Sequence, residues 1–262
     1  MSSRFFEPAR PRLFAHRGYS ARYPENTLPA FAGALDLGLE YLELDVHLSR
    51  DEAVVVHHDA HLSRTCGVNR SIHRLSLKEI KGCDPGWGFV DEEGGRPFYK
   101  RDIRIPTLEE LFRTFPEALC NIEMKHGGQA MYHRLLQAIH ESGMAERVLL
   151  ASHKDDVIQG FRALGTGIPT NFCHREVEVC VRALRAACFE PSLLAQAEAL
   201  QIPVRHGREV LVTAETVQCA HDADVEVHVW TVNEEREARR LLDLGVDGIM
   251  SDDAEMLRRL RG

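Results

Sequence analysis

The run YLELDVHL at 41–48 sets two carboxylates two residues apart among apolar neighbours. On a strand, alternate side chains share a face, so Glu43 and Asp45 point together and Leu42, Leu44 and Val46 point away. Paired carboxylates repel unless a cation or a proton lies between them, which makes them candidate ligands for a divalent metal. His47 shares their face and is a further candidate ligand. The run NIEMKH repeats the spacing with Glu123 and Lys125. Together these can bind a metal and a phosphate, or simply pair with each other. VVVHH ends in two histidines that must face opposite ways, so only one of His57 and His58 can reach a common site. Asp59 follows directly and is placed to orient a ring nitrogen. His16 and Arg17 close another short apolar run, LFAHRG.

These groups need elements that carry them to one place. Short apolar runs at 13–15, 41–48, 53–57, 120–124, 148–151, 168–172, 200–204, 225–230 and 247–250 alternate with amphipathic helical stretches. Thr27 is a candidate cap for one helix, Thr107 with Glu110 forms a capping box for another, and Asn233 is a candidate cap for a third. Alternation of this kind means parallel strands joined by crossover helices. About eight such units in 262 residues is the size of a (β/α)8 TIM barrel. A doubly wound sheet fits the pattern nearly as well, although no glycine-rich nucleotide fingerprint accompanies it. From about 66 to 105 the alternation stops in a Gly-, Asp- and Arg-rich stretch holding one short helix capped by Ser76 and Glu79. This is expected to be a small insertion after the second strand, within a single domain spanning 1–262.

In a barrel, catalytic groups gather at the C-terminal ends of the strands. That rim would collect His16, Arg17, Glu43, Asp45, His58, Glu123, Lys125 and Trp230. Hard oxygen ligands favour Mg²⁺ or Ca²⁺, and Arg and Lys favour a phosphate. Two histidines can serve as acid and base. The residues therefore point to metal-assisted cleavage of a phosphoester.

Bulk properties set the limits. Hydrophobic residues make up 44% and charged residues 27%, an ordinary globular balance. A formal net charge of -8 gives no electrostatic reason to bind nucleic acid. The seven cysteines stand singly with no CxxC pair, which fits reduced thiols and a cytoplasmic location. Neither a secretory signal nor a transmembrane segment is expected.

The ordered blocks HRG (16–18), PENT (24–27), ELDV (43–46), VVVHHDAHLSRT (54–65), IPTLEEL (105–111), NIEMK (121–125), VWTVN (229–233) and GVDGIMSD (245–252) resemble the glycerophosphodiester phosphodiesterase family over nearly the whole chain. DPGW and IRIPTLEE are similar to its cytoplasmic bacterial branch. The resemblance implies a TIM barrel and a divalent cation held by Glu43, Asp45 and Glu123. It implies that His16 and His58 are the acid/base pair, Arg17 and Lys125 contact the phosphate, Glu25 and Asn26 support the site, and Trp230 walls the substrate. The expected substrate is a glycerophosphodiester, cleaved to glycerol 3-phosphate and an alcohol. A lysophospholipid is the alternative, with Trp87, Phe89, Phe98 and Tyr99 either lining an apolar groove or forming the insertion's own core. A barrel kept only to bind phosphodiesters would have lost a carboxylate or a histidine, and none of these is missing. Two departures, SDD at 251–253 and DAD at 222–224, are expected to touch no catalytic residue. Residues 173–192 match least clearly.

Overall fold

The computed structural model describes residues 3–185 and 197–261. In chain order the elements are β1 (Arg12–His16), α1 (Leu28–Asp36), β2 (Tyr41–Leu48), β3 (Val54–Val56), α2 (Ser63–Cys66), α3 (Leu77–Lys81), α4 (Leu108–Thr114) and β4 (Leu119–Met124). There follow α5 (Gln129–Glu141), β5 (Val148–Ala151), α6 (Asp155–Arg162), α7 (His174–Arg185), β6 (Ala199–Pro203), β7 (Arg205–His206) and β8 (Glu209–Val210). The chain ends with α8 (Ala214–Asp222), β9 (Glu226–Trp230), α9 (Glu235–Asp243), β10 (Gly248–Ser251) and α10 (Ala254–Leu260). None of the described helices is long and apolar enough to cross a membrane.

The main sheet runs β5-β4-β2-β1-β10-β9-β6, parallel throughout. Residues 168–172 join its two edges through the bridges Leu150↔Thr170 and Asn171↔Ala199. The expected strand is present there only as these bridges. Pro169 has no N–H to give, Thr170 N donates to the Glu198 carboxylate at 2.8 Å, and the Asn171 side chain takes Ser152 N at 2.9 Å. The result is the curled α/β barrel expected from the alternation. Outward residues of each strand, such as Leu13, Leu42, Leu44 and Ile122, form one apolar layer with the helices. The inward set divides in two. Phe14, Tyr41, Leu119, Leu149 and Met250 pack with Phe5 of the N-terminal segment, and the polar groups take the remaining inward positions.

Local signals are realised where the stabilising bond lies within one turn. Thr27 accepts from Ala30 N, and both Ser76–Glu79 and Thr107–Glu110 form complete capping boxes. Asn233 does not cap α9. The cap position is Glu234, without a side-chain bond, because the Asn233 amide is taken by Ser251 and Asp252.

The excursion from the barrel starts earlier than residue 66. β3 runs antiparallel to β2, off the barrel path, with Val46 opposite Val56. Beyond it, Val55, Leu62, Cys66, Ile72, Leu75, Ile80 and Ile105 form a separate small core. Trp87 lies on Gly67, whose φ of +68° and contact with the indole both require glycine. Phe89 and Phe98 meet edge to face at 5.1 Å, and Phe98 also packs on Tyr23.

Candidate active site

β2 supplies the centre. All eight of its residues are buried, and Glu43 and Asp45 are inward. Glu123 on β4 stands in register with Asp45. One oxygen from each of Glu43, Asp45 and Glu123 lies within 4.8 Å of the others. Lys125 Nζ sits between two of these groups, 2.7 Å from Asp45 Oδ1 and 2.7 Å from Glu123 Oε2. Arg17 Nε is 3.5 Å from Asp45 Oδ2. Among the described residues, Asp45 Oδ1 and Arg17 Nε are the buried side-chain polar atoms without an aligned hydrogen bond. The ammonium is close to Asp45 Oδ1 but does not satisfy it directionally.

The electrostatics follow from burial and crowding. Burial, and next the charge of Asp45, push the Glu43 carboxyl up. Burial works the same way on Asp45, but Lys125 and Arg17 outweigh it and hold that carboxyl at about 2. Burial also opposes ionisation of Glu123, which His153 and Lys125 nevertheless hold below its ordinary value. The cluster therefore carries negative charge in a buried place and leaves one carboxyl short of a counter-ion, as suits a hard cation.

Two histidines flank the cluster, each held at Nδ1 by a carboxylate. His16 ends β1, its Nδ1 2.7 Å from Asp252 Oδ1 and its Nε2 3.7 Å from Glu43. Burial disfavours its charged form, but Glu43 and Asp252 prevail and raise its pKa. Asp252 is itself fixed by Ser20 Oγ at 3.0 Å and Asn233 Nδ2 at 2.7 Å, and its carboxyl is held at about 2. The expectation that the SDD departure touches no catalytic candidate is thus wrong, because Asp252 is the partner of His16. His58 Nδ1 is 2.6 Å from Asp59 Oδ1, so the adjacent pair does meet. It arrives through the antiparallel return of β3, where His57 N donates to Asp45 O at 2.9 Å. His57 faces away, its Nδ1 bonded to Asp59 O and its Nε2 to Thr65 Oγ1. His47 is not with the acidic cluster. Its Nε2 is spent on the His58 carbonyl oxygen at 3.0 Å.

The loop after β1 locks the arrangement. Arg17 adopts φ +58° and Asn26 φ +55°, both uncommon for these residues. Gly18 turns beneath α1, where a Cβ would fall 2.7 Å from the Ala30 carbonyl carbon. Asn26 Nδ2 donates to Asp45 Oδ2 at 2.8 Å, and Glu25 accepts from Arg17 Nη1 at 3.1 Å.

His16, Arg17, Glu43, His58, Glu123, Lys125 and Trp230 all line one cavity of about 740 Å³. Its apolar side comes from Phe172, Val177, Val181, Ile202, Leu211 and the partly exposed Trp230. The insertion aromatics Trp87, Phe89, Phe98 and Tyr99 do not line it: Phe98 packs between Phe89 and Tyr23, Trp87 lies on Gly67, and Tyr99 is exposed. Two further residues reach the site unforeseen. His153, just past β5, sets Nδ1 3.0 Å from Glu123, and Arg64 of α2 binds Glu25 and Asp59. The strand-end rule would have found His153, two residues beyond the run at 148–151.

Comparison with known proteins gives the family. The model of the glycerophosphoryl diester phosphodiesterase family matches residues 16–256. A glycerophosphodiester phosphodiesterase of Caldanaerobacter subterraneus subsp. tengcongensis is 31% identical over 255 residues, covering 95% of this chain and 96% of its own. A lysophospholipase D of Rattus norvegicus is 27% identical, covering 92% and 83%. The structure of an Oleispira antarctica phosphodiesterase in complex with the product sn-glycerol-3-phosphate superposes with a TM-score of 0.76 at 23% identity, covering 97% and 98%. The match spans the whole set of strand ends that build the site, and the chain belongs to the glycerophosphoryl diester phosphodiesterase family.

Proposed function

We propose that this chain hydrolyses glycerophosphodiesters to glycerol 3-phosphate and an alcohol, with His16 and His58 as the acid/base pair. The observation that carries this reading is the matched pair of histidines on one cavity. Each has Nδ1 tied to a carboxylate, which leaves Nε2 for proton transfer beside the acidic cluster. Water, or the neighbouring glycerol hydroxyl in the first of two displacements, attacks phosphorus. One imidazole takes the nucleophile's proton as the other gives a proton to the departing alkoxide oxygen. Arg17 and Lys125 bind the phosphate oxygens, and Trp230 walls the substrate. Glu25 and Asn26 hold Arg17 and Asp45 in place.

Glu43, Asp45 and Glu123 would hold a divalent cation, Mg²⁺ or Ca²⁺. The unsatisfied Asp45 Oδ1 and the raised Glu43 carboxyl both fit such an ion. Such a cation would supply Lewis-acid stabilisation of charge on the phosphoryl group. Lys125, between Asp45 and Glu123, would offer its ammonium to a phosphate oxygen. The relative from Caldanaerobacter and the product complex of the Oleispira enzyme support the substrate class. The six described cysteines are free thiols, in keeping with a cytoplasmic enzyme formed by one domain, 1–262, with its insertion. The test is release of glycerol 3-phosphate from glycerophosphocholine, with and without EDTA. Activity lost on chelation and restored by Mg²⁺ or Ca²⁺ is expected. Full turnover after exhaustive chelation overturns the metal assignment.

A second reading, lysophospholipase D, is favoured by the apolar wall from Phe172 to Leu211 and by the rat relative. Lysophosphatidylcholine assayed beside glycerophosphocholine separates the two.

A further inference from the structure

We infer that Arg64, which lies in the block at 54–65 without a role assigned to it there, is a positioning residue that ties the two arms of the site together. The inference rests on the acid/base reading above. Arg64 Nη1 and Nη2 clasp Glu25 at 2.5 and 2.7 Å, and Nε and Nη2 clasp Asp59 at 2.8 and 3.2 Å. Glu25 holds Arg17, and Asp59 holds His58. One guanidinium therefore closes a chain Arg17–Glu25–Arg64–Asp59–His58 that joins the loop after β1 to the loop after β3.

The planar fork is what makes this possible. Its donors can face two carboxylates at once, whereas an ammonium is a single point charge. Its backbone is fixed from outside the barrel. Leu62 and Cys66 on either side are buried in the insertion core, and Thr65 O accepts from Gly88 N at 2.8 Å. The insertion contributes nothing to the carboxylate cluster and acts on the site through this arginine. Half of the Arg64 side chain is exposed, so its ion pairs add little to global stability. Their effect is on geometry, to which catalysis responds steeply.

The test is steady-state kinetics on glycerophosphocholine with the metal-loaded enzyme, comparing wild type, Arg64→Ala, Arg64→Lys, Asp59→Asn and the double variant Arg64→Ala/Asp59→Asn. Arg64→Ala is expected to lower kcat by about 10- to 100-fold. Lys is expected to recover only part of this, and the loss should be smaller on the Asp59→Asn background, where only the Glu25 arm remains to be released. Guanidinium in solution should restore kcat in Arg64→Ala, since a cavity of about 330 Å³ opens beside Arg64, and should not restore it in Asp59→Asn. A kcat within twofold of wild type, or the same fold-loss on both backgrounds, overturns the inference. His58→Ala with wild-type turnover would instead remove the acid/base reading beneath it.

Discussion

At His16 the ring is held from one side, with Asp252 on Nδ1 and Nε2 left toward Glu43. Every bond to Asp252 from a side chain comes from a donor: His16 Nδ1, Ser20 Oγ and Asn233 Nδ2. Asp252→Asn would force an amide N–H against one of them, or turn it onto His16 and reverse the tautomer. Its kcat is expected to fall by at least about 10²-fold with the thermal midpoint little changed, measured side by side. His16→Ala and His58→Ala should each lower kcat by about 10²–10⁴-fold. Turnover within a few-fold of wild type in either would strike that histidine from the mechanism. Asp45→Asn removes the best-ionised carboxylate of the cluster, and calorimetric titration with Mg²⁺ or Ca²⁺ should then show no binding.

Among the elements, α7 supplies part of the cavity's apolar wall. Its inward residues Val177 and Val181 line the cavity, which the insertion aromatics do not reach. Val177→Asp is therefore expected to lower turnover of lysophosphatidylcholine by at least about tenfold while sparing glycerophosphocholine. Equal losses on both substrates would mean that the wall takes no part in selecting an acyl chain. The β2–β3 hairpin matters in a different way. Because it reverses the chain, His58 returns beside Asp45 instead of continuing outward.

For the whole molecule, the far end of the barrel is closed by charge as well as by packing. Arg12 is buried, clasps Glu226 at 2.5 and 2.7 Å, and donates to Tyr41 Oη and to the Phe6 and Pro8 carbonyl oxygens. Arg12→Ala takes the bidentate partner from buried Glu226, leaving it Arg10 at 3.2 Å and His228 at 3.0 Å, and should destabilise the fold by about 3 kcal/mol in denaturant titrations. Burial raises the Glu226 carboxyl, but His228 and Arg12 prevail and hold it at about 2. A depressed carboxylate contributes stability that is complete above its ordinary value of 4.5 and lost as pH falls toward 2. Burial lowers His47 to about 4 and also lowers His57, so the unfolded chain binds protons first below about 6.5. Both effects destabilise the fold in acid. The raised Glu43 and His16 act in the opposite sense between about 7 and 4.5, so the decline in melting midpoint is expected below about 4.5, where Glu226→Gln should flatten it. An unchanged acid limb in that variant would contradict the assignment.

Strand periodicity placed 41–48 and 148–151 residue for residue, and the capping boxes at Ser76 and Thr107 were legible, because each depends on neighbours within a turn or a pleat. Spacing also told which carboxylates share a face, and the ordered blocks told the family. What the sequence could not state was who meets whom across the barrel. Asp252 is 236 residues from its partner His16, and its amide clasp took Asn233 away from the helix it was expected to cap. The strand at 168–172 shrank to two bridges because side chains competed for its ladder. Arg64 and the apolar wall of α7 became part of the site for the same reason. Local pattern selects strands and helices, while closure of the barrel selects the long-range pairs whose geometry sets the chemistry.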